Sequence, residues 1–123
     1  MYKVLIADDE RLIRITLKKM IDWQALHCEV IATVKDGKEA YRIFQEVHPE
    51  IVITDLKMPE MDGIELITKI NKESRNTLVI VSSNYSDFEL VRDTMTAGDF
   101  DYLSQITSEN EELPRIITHV NTT

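Results

Sequence analysis

Three acidic side chains follow two short apolar segments, and together they could bind a divalent metal ion. The segment VLIADDE, residues 4–10, ends its apolar run at Asp8 and Asp9. The segment IVITDLKMPEMDG, residues 51–63, ends its apolar run at Asp55. Short apolar runs that stop at acids are typical of buried strands that deliver carboxylates to one edge of a sheet. Carboxylate oxygens are ligands that Mg²⁺ prefers, so the pattern predicts a magnesium site if the two strand ends meet.

The periodicity of the apolar residues alternates between strand and helix along the chain. Apolar runs predict five strands, at residues 4–7, 29–34, 51–54, 78–81 and 101–103. Apolar residues at helical spacing predict a helix after each strand, and these stripes are Leu12, Ile13, Leu17, Met20 and Ile21; Ala40, Ile43, Phe44 and Val47; Ile64, Leu66, Ile67 and Ile70; Phe88, Leu90, Val91 and Met95; and Ile116, Ile117 and Val120. This alternation is typical of a parallel sheet covered by helices on both faces. We therefore expect a single α/β domain of (βα)₅ order with three layers.

The expected sheet would bring the acids together. In a doubly wound sheet of strand order 2-1-3-4-5, strands one and three are neighbours at the point where the order reverses, which is where ligands bind. Two carboxylates ~5 Å apart repel by about 3 kcal/mol at an effective dielectric constant of ~20. A magnesium ion would remove that repulsion. Strand four ends at the hydroxyl-bearing residues Ser82 and Ser83 on the same edge, and a metal with a reactive carboxylate suits carboxylate phosphorylation.

Composition narrows the class of protein. The chain has 123 residues, a net charge of −8 and a single cysteine, Cys28. The negative charge argues against nucleic-acid binding by this domain alone, and one cysteine excludes a disulfide within the chain. No apolar run approaches the ~18 residues of a membrane span, and the residues at 1–3 lack a signal-peptide pattern. We expect a cytoplasmic protein that does not act at a membrane.

Several local features carry narrower predictions. Capping chemistry predicts helix starts at three pairs, Asp62 with Glu65, Ser86 with Glu89, and Ser108 with Glu111. Pro114 favours a late, short final helix. Trp23 is expected in the core and Cys28 in a buried, inert position. His27, His48 and His119 lack ligand spacing and are expected at the surface.

In its whole length the chain resembles the receiver domain of bacterial two-component response regulators. The resemblance rests on VLIADDE, on IVITDLKMPEMDG, on the Ser82-Ser83 pair and on AGDFDYL at residues 97–103, in this order and spacing. Two further segments, KKMIDW and SNYSDFELV, are most similar to receivers fused to AraC-type DNA-binding domains. The resemblance implies a flavodoxin-like (βα)₅ sandwich with a parallel sheet of order 2-1-3-4-5. It also implies that residues 1–123 are one receiver domain, with the effector domain absent from this chain.

The resemblance implies a role for each residue at the predicted site. Asp55 would be the phosphoacceptor that attacks a phosphohistidine on a partner kinase. Asp8 and Asp9 would hold Mg²⁺ together with Asp55, with Asp9 binding directly and Asp8 through water. The backbone carbonyl of Lys57 would complete the protein ligands. Ser82 would be the hydroxyl that turns toward the phosphoryl group.

The family's conformational switch is less completely matched. Tyr102 would be the aromatic residue that moves between outward and inward positions. Where the family carries a lysine followed by proline, this chain has Gln105 and Ile106. Gln105 can donate a hydrogen bond but has no charge, and a charge-assisted bond is roughly twice as strong as a neutral one. We therefore expect weaker phosphorylation, or weaker coupling of phosphorylation to a change of shape.

The implied partners are a sensor histidine kinase, a second copy of the chain and, through the missing effector domain only, DNA. The homodimer would form through the fourth helix, the fifth strand and the last helix. A second hypothesis is a degenerate receiver that dimerises or docks independently of phosphorylation, which Gln105, Ile106 and Pro114 motivate. A third is a Mg²⁺-dependent phosphatase with an aspartate nucleophile. Such sites usually place an acid two residues after the nucleophile, where this chain has Lys57.

Overall fold

The structure, a computed structural model, describes residues 1–73, 77–83 and 100–104. Its strands are β1 (Tyr2–Ala7), β2 (Cys28–Val34), β3 (Ile51–Thr54), β4 (Leu78–Ser83) and β5 (Phe100–Ser104). Its helices are α1 (Arg11–Met20), α2 (Gly37–Val47) and α3 (Gly63–Glu73), with a 3₁₀ turn at Gln24–Leu26. The fourth and last helices predicted from the sequence lie outside the described residues, as do Pro114 and the caps proposed at Ser86 and Ser108.

The five strands form one parallel sheet in the order β2-β1-β3-β4-β5. This confirms the predicted flavodoxin-like order 2-1-3-4-5. The sequence located β3 at its observed bounds, whereas β4 extends two residues beyond the predicted end. Within the described ranges, no helix has the length and apolarity that crossing a bilayer requires.

The sheet is buried on both faces, because alternate residues of β1 belong to different cores. Leu5 and Ala7 pack with Phe44 of α2 and with Leu66 and Ile70 of α3. Val4 and Ile6 lie on the other face and pack with Leu17 of α1 and with Trp23. Side chains of successive strand residues point to opposite faces, so a strand covered on both sides must be apolar throughout. The helices on each face therefore fix the sheet that carries the acids.

Two aspartates cap the N-termini of α2 and α3. The carboxylate of Asp36 accepts a hydrogen bond from the Glu39 N–H at 2.7 Å and caps α2. The carboxylate of Asp62 accepts from the Glu65 N–H at 2.9 Å just before α3. The second bond confirms the predicted cap, and the first is a cap of the same type.

Helix α1 forms where the apolar stripe predicted it, but Leu12 is 75% exposed. Leu17 is buried, and five residues of helical rotation place Leu12 well away from its face. Trp23 is buried as expected and donates from Nε1 to the Leu17 carbonyl at 3.1 Å. Cys28 is buried too, also as expected, and burial raises the pKa of its thiol. His27 and His48 are exposed as expected, while His119 lies outside the described residues.

Candidate metal centre

The strand register brings the candidate residues to one level of the sheet. Ala7 of β1 pairs with Thr54 of β3, and Thr54 pairs with Val81 of β4. Residues 8, 55 and 82 each lie one position beyond this row, at the carboxyl ends of three adjacent strands. The N–H of residue 55 donates to the Ala7 carbonyl at 3.0 Å, which continues the pairing past the end of β3.

Asp8, Asp9 and Asp55 form a group of acids that could hold a metal ion. One carboxylate oxygen from each of them lies within 4.8 Å of the others. Asp8 and Asp55 are buried, whereas Asp9 is exposed. Burying a carboxylate beside another is costly unless a positive charge or hydrogen bonds compensate. Hard oxygen donors that meet at an open edge, with room for water on the exposed side, fit Mg²⁺. The predicted convergence of the two strand ends is therefore confirmed.

Asp8 is held at its backbone and at its side chain. Its N–H donates to the Val34 carbonyl of β2 at 3.0 Å. Its Oδ1 accepts a hydrogen bond from the Glu10 N–H at 2.9 Å. Its carbonyl oxygen accepts a hydrogen bond from Nη1 of Arg14 at 2.6 Å. Glu10 itself is exposed and immediately precedes the first turn of α1.

The same surroundings change the acidity of Asp8. Burial raises the pKa of Asp8 to about 7, because its charged form loses solvation inside the protein. That value already includes the hydrogen bond from the Glu10 N–H, which lowers the pKa, and the negative charges of Asp55, Asp9 and Glu10, which raise it. A cation would favour the ionised carboxylate, so protons and a bound metal ion would compete for Asp8 near neutral pH.

Asp55 is oriented by the loop that follows it. Its Oδ1 accepts a hydrogen bond from the Leu56 N–H at 2.7 Å. Its carbonyl oxygen accepts a hydrogen bond from the Thr54 hydroxyl at 2.8 Å. The Leu56 carbonyl accepts from the N–H of Gly63 at 2.9 Å, which closes the loop onto the start of α3. The Asp55 carboxylate is thus held in a fixed orientation beside the other two acids.

Two glycines allow the close packing of this loop. A Cβ on Gly63 would lie 2.1 Å from the Asp55 carbonyl oxygen and 2.8 Å from the Leu56 Cα. A Cβ on Gly37, at the start of α2, would lie 1.9 Å from the Met61 carbonyl oxygen. Real side chains essentially never approach backbone atoms this closely. The loop from Asp55 to Met61 is therefore confined between the first turns of α2 and α3.

The other residues predicted at the site differ in their position in the fold and in their burial. Ser82 is buried at the carboxyl end of β4, one position beyond the row of Thr54. Lys57 is an exposed residue of the loop after Asp55. The backbone of Tyr102 pairs with Val81 in β5, whereas Gln105 lies outside the described residues.

Sequence reasoning missed two residues that support the site, Arg14 and Gly37. Arg14 lies one helical turn into α1, and helix side chains lean toward the helix N-terminus. That geometry could have indicated that an arginine six residues after Asp8 reaches the turn. Gly37 directly follows the cap of α2, but its close neighbour, Met61, is 24 positions later in the chain. No local pattern indicates that contact.

The chain matches a known protein family over most of its length. A family model described as the response regulator receiver domain matches residues 4–118. The chain is 41% identical over 119 residues to an uncharacterised transcriptional regulatory protein, YesN, of Bacillus subtilis, and the match covers 92% of this chain and 32% of that protein. It is 44% identical over 103 residues to the transcriptional regulatory protein HptR of Staphylococcus aureus, a match that covers 84% of this chain and 40% of HptR. The chain thus spans about a third to two fifths of the length of these curated relatives.

Solved structures show the same likeness. The REC domain of AraT, a response regulator from Geobacillus stearothermophilus, superposes with a TM-score of 0.89 at 31% identity, over 98% of this chain and 95% of that chain. A two-component transcriptional regulator AraC from Clostridium phytofermentans superposes with a TM-score of 0.76 at 34% identity, over 99% of this chain and 90% of that chain.

Proposed function

Because the chain belongs to the response regulator receiver domain family, we propose that Asp55 accepts a phosphoryl group from a sensor histidine kinase. The observation that carries the proposal is the convergence of the Asp8, Asp9 and Asp55 carboxylates within 4.8 Å at the carboxyl edge of the sheet. Nothing in the packing of the fold requires three acids there. A site that gathers a cation and then uses one carboxylate as a nucleophile accounts for both their number and their position.

The chemistry assigned to the chain is a transfer between two side chains. A carboxylate oxygen of Asp55 attacks the phosphorus of the kinase phosphohistidine. The new P–O bond forms as the P–N bond breaks, and the histidine leaves with the bonding electron pair. When bound, Mg²⁺ screens the charge of the phosphoryl oxygens during transfer. The Leu56 N–H orients the acceptor from the protein side, since it donates to Asp55 Oδ1 at 2.7 Å.

The remaining site residues are assigned supporting roles. Asp8 and Asp9 bind the cation with Asp55, and the Lys57 carbonyl contributes from the loop. Ser82 stands one position beyond Val81, level with Asp55 on the neighbouring strand, so its hydroxyl is assigned to the phosphoryl oxygens. Tyr102 and Gln105 are assigned to couple phosphorylation to a conformational change. The uncharged Gln105 makes that coupling weaker than a lysine would.

The output assigned to the whole protein is control of transcription. The chain spans only part of relatives named as transcriptional regulators, so a DNA-binding effector, which we propose to be of the AraC type, lies outside it. Phosphorylation would act on that effector by promoting a homodimer through the fourth helix, β5 and the last helix. The assigned location is the cytoplasm, where the protein has access to both the kinase domain and the DNA.

The test is phosphorylation of the purified chain by acetyl phosphate with Mg²⁺, followed by intact mass. We expect a gain of one phosphoryl group (about 80 Da), and no gain for Asp55→Asn. Asp62→Asn is the matched control, because it makes the same chemical change at an exposed helix cap in the same loop. A wild-type chain that folds and shows no mass gain would contradict the proposal.

A second experiment separates this function from docking that is independent of phosphorylation. The dissociation constant of the dimer is measured with and without beryllofluoride and Mg²⁺. A receiver that switches is expected to dimerise more tightly with beryllofluoride, and Gln105→Lys should enlarge the effect. An unchanged constant in both proteins would favour the degenerate module.

A further inference from the structure

Arg14 makes a contact with the metal centre that the function proposed above does not use. Its Nη1 donates to the Asp8 carbonyl oxygen at 2.6 Å, and its own N–H donates to the Glu10 carbonyl at 3.2 Å as α1 begins. The side chain is half-buried and runs back along the helix toward the acids. A charged donor to a carbonyl makes one of the stronger hydrogen bonds available to a protein.

The bonded carbonyl belongs to the peptide group that joins Asp8 to Asp9. That peptide is planar, so fixing its oxygen also fixes the direction in which the chain enters residue 9. Asp8 is anchored elsewhere as well, by the Val34 carbonyl and the Glu10 N–H. Asp9 is exposed, and packing does little to orient it. The bond from Arg14 therefore bears most directly on the Asp9 carboxylate.

We propose that Arg14 is a positioning residue for the metal centre, which orients the Asp8–Asp9 peptide and through it the Asp9 carboxylate toward the cation. The proposal rests on the assigned Mg²⁺ site. The proposal predicts a change in Mg²⁺ affinity opposite in sign to the change that charge alone would produce. A guanidinium beside a cation site repels the incoming ion, so charge alone predicts that loss of Arg14 tightens Mg²⁺ binding. If Arg14 instead orients the peptide, losing Arg14 weakens Mg²⁺ binding, because the freed peptide must be ordered again when the ion binds.

The experiment compares Mg²⁺ affinity, measured by isothermal titration calorimetry on the whole 123-residue chain, among three variants. Arg14→Met removes the charge and the donors but keeps a long side chain that favours helix. Arg11→Met is the matched control, because it removes the same charge from an exposed position in the first turn of the same helix. Arg14→Lys keeps the charge and loses the planar fork of donors.

We expect Arg14→Met to bind Mg²⁺ about 5- to 10-fold more weakly than wild type, which corresponds to about 1 to 1.4 kcal/mol. Arg11→Met should bind as tightly as wild type or slightly more tightly. Arg14→Lys should be weaker than wild type by about 2-fold or more, although the net charge is unchanged. Equal or tighter binding by Arg14→Met relative to Arg11→Met would overturn the proposal. Should Arg14→Met fail to fold, Arg14→Lys decides alone, and a wild-type affinity in it overturns the proposal.

The wild-type titration separates this inference from the function on which it rests. A wild-type chain that takes up no Mg²⁺ contradicts the metal centre itself. A wild-type chain that binds Mg²⁺, together with an Arg14→Met variant that binds equally well, contradicts only the role of Arg14.

Discussion

The turn after β1 and the loop after β3 bring acids to the same site, but different kinds of contact hold them. The turn is fixed by hydrogen bonds, from the Glu10 N–H to Asp8 Oδ1 and from Arg14 to the Asp8 carbonyl. The loop has hydrogen bonds as well, but its path is set by contact with two glycines. Gly63 lies against the Asp55 carbonyl and Gly37 against the Met61 carbonyl.

These two kinds of contact predict how each half of the site responds to change. A hydrogen bond that is lost at a partly exposed turn is replaced in part by water, so its net cost is modest, about 1 kcal/mol. A methyl group placed where a backbone oxygen already lies has no such substitute. Either the loop moves or the helix moves, and such overpacking typically costs about 1 to 3 kcal/mol, occasionally more. The loop after β3 is therefore expected to be the less tolerant half.

The largest effect is expected from Gly63→Ala. Its Cβ would lie 2.1 Å from the Asp55 carbonyl oxygen, so we expect a loss on the order of 3 kcal/mol in the free energy of unfolding, measured by urea denaturation. Phosphorylation of Asp55 should fall with it, since the acceptor must shift. Glu65→Ala, an exposed change in the first turn of the same helix, is the control. A Gly63→Ala protein as stable as wild type would contradict the expected intolerance of the loop.

Gly37→Ala is expected to have the next largest effect. The clash with the Met61 carbonyl should cost about 1 to 3 kcal/mol, and the helix preference of alanine over glycine offsets up to about 1 kcal/mol of it. The net loss in unfolding free energy should be about 1 to 2 kcal/mol. Lys38→Ala, at the next position of α2, should leave stability within about 0.5 kcal/mol of wild type. A gain in stability for Gly37→Ala would show that the loop can move away from the added methyl group without a loss of unfolding free energy.

For the turn after β1, the expected effect is on the pH dependence of Mg²⁺ affinity rather than on packing. Because burial raises the pKa of Asp8 to about 7, a proton must leave before Mg²⁺ can use the ionised carboxylate. Affinity for Mg²⁺ should therefore be level above that pH and fall about tenfold per pH unit below it. Calorimetry from about pH 5.5 to 8 measures this slope. Asp8→Asn should bind more weakly and lose the slope, whereas a slope that persists in that variant would assign the proton to another group.

The smallest effect is expected from Glu60→Gly. Glu60 lies in the loop after β3 with φ of 69°, a left-handed conformation that costs a side chain roughly 1 to 2 kcal/mol. Glycine adopts it freely but loses more backbone entropy on folding, by roughly 0.5 to 1 kcal/mol. We expect a net gain of up to about 1 kcal/mol in thermal or urea unfolding. His48→Gly, with φ of 52° at the end of α2, should gain less, because it also removes the edge-on contact of the His48 ring with Phe44, and it should leave Mg²⁺ affinity unchanged. A loss of stability in Glu60→Gly would mean that the glutamate side chain makes a contact that the loop needs.

Much of the fold could be predicted because local pattern and fold agreed. The run Ile51–Thr54 is β-branched and buried on both faces, since the strand is covered on both sides, and its bounds were predicted without error. The helix cap at Asp62 followed from its spacing to Glu65. Leu12 shows the limit of this reasoning, because a helical stripe does not say which of its members faces the core. The packing of α1 on the sheet decided that Leu17 is buried and Leu12 is not.

Residue types and their spacing were enough to single out the three acids that converge at one edge of the sheet, because a buried strand that ends in carboxylates rarely gains stability from them. They were also enough to predict a parallel sheet covered by helices on both faces, whereas the strand order 2-1-3-4-5 was expected from the resemblance to receiver domains. What holds the acids in place became visible only in three dimensions. The support of Asp8 by Arg14 depends on how far a helical side chain reaches back, and the contact of Gly37 with Met61 joins residues far apart in the chain. The Arg14 contact is local and follows from helix geometry, but the Gly37 contact depends on the distance between packed elements, which no local pattern of residue types records.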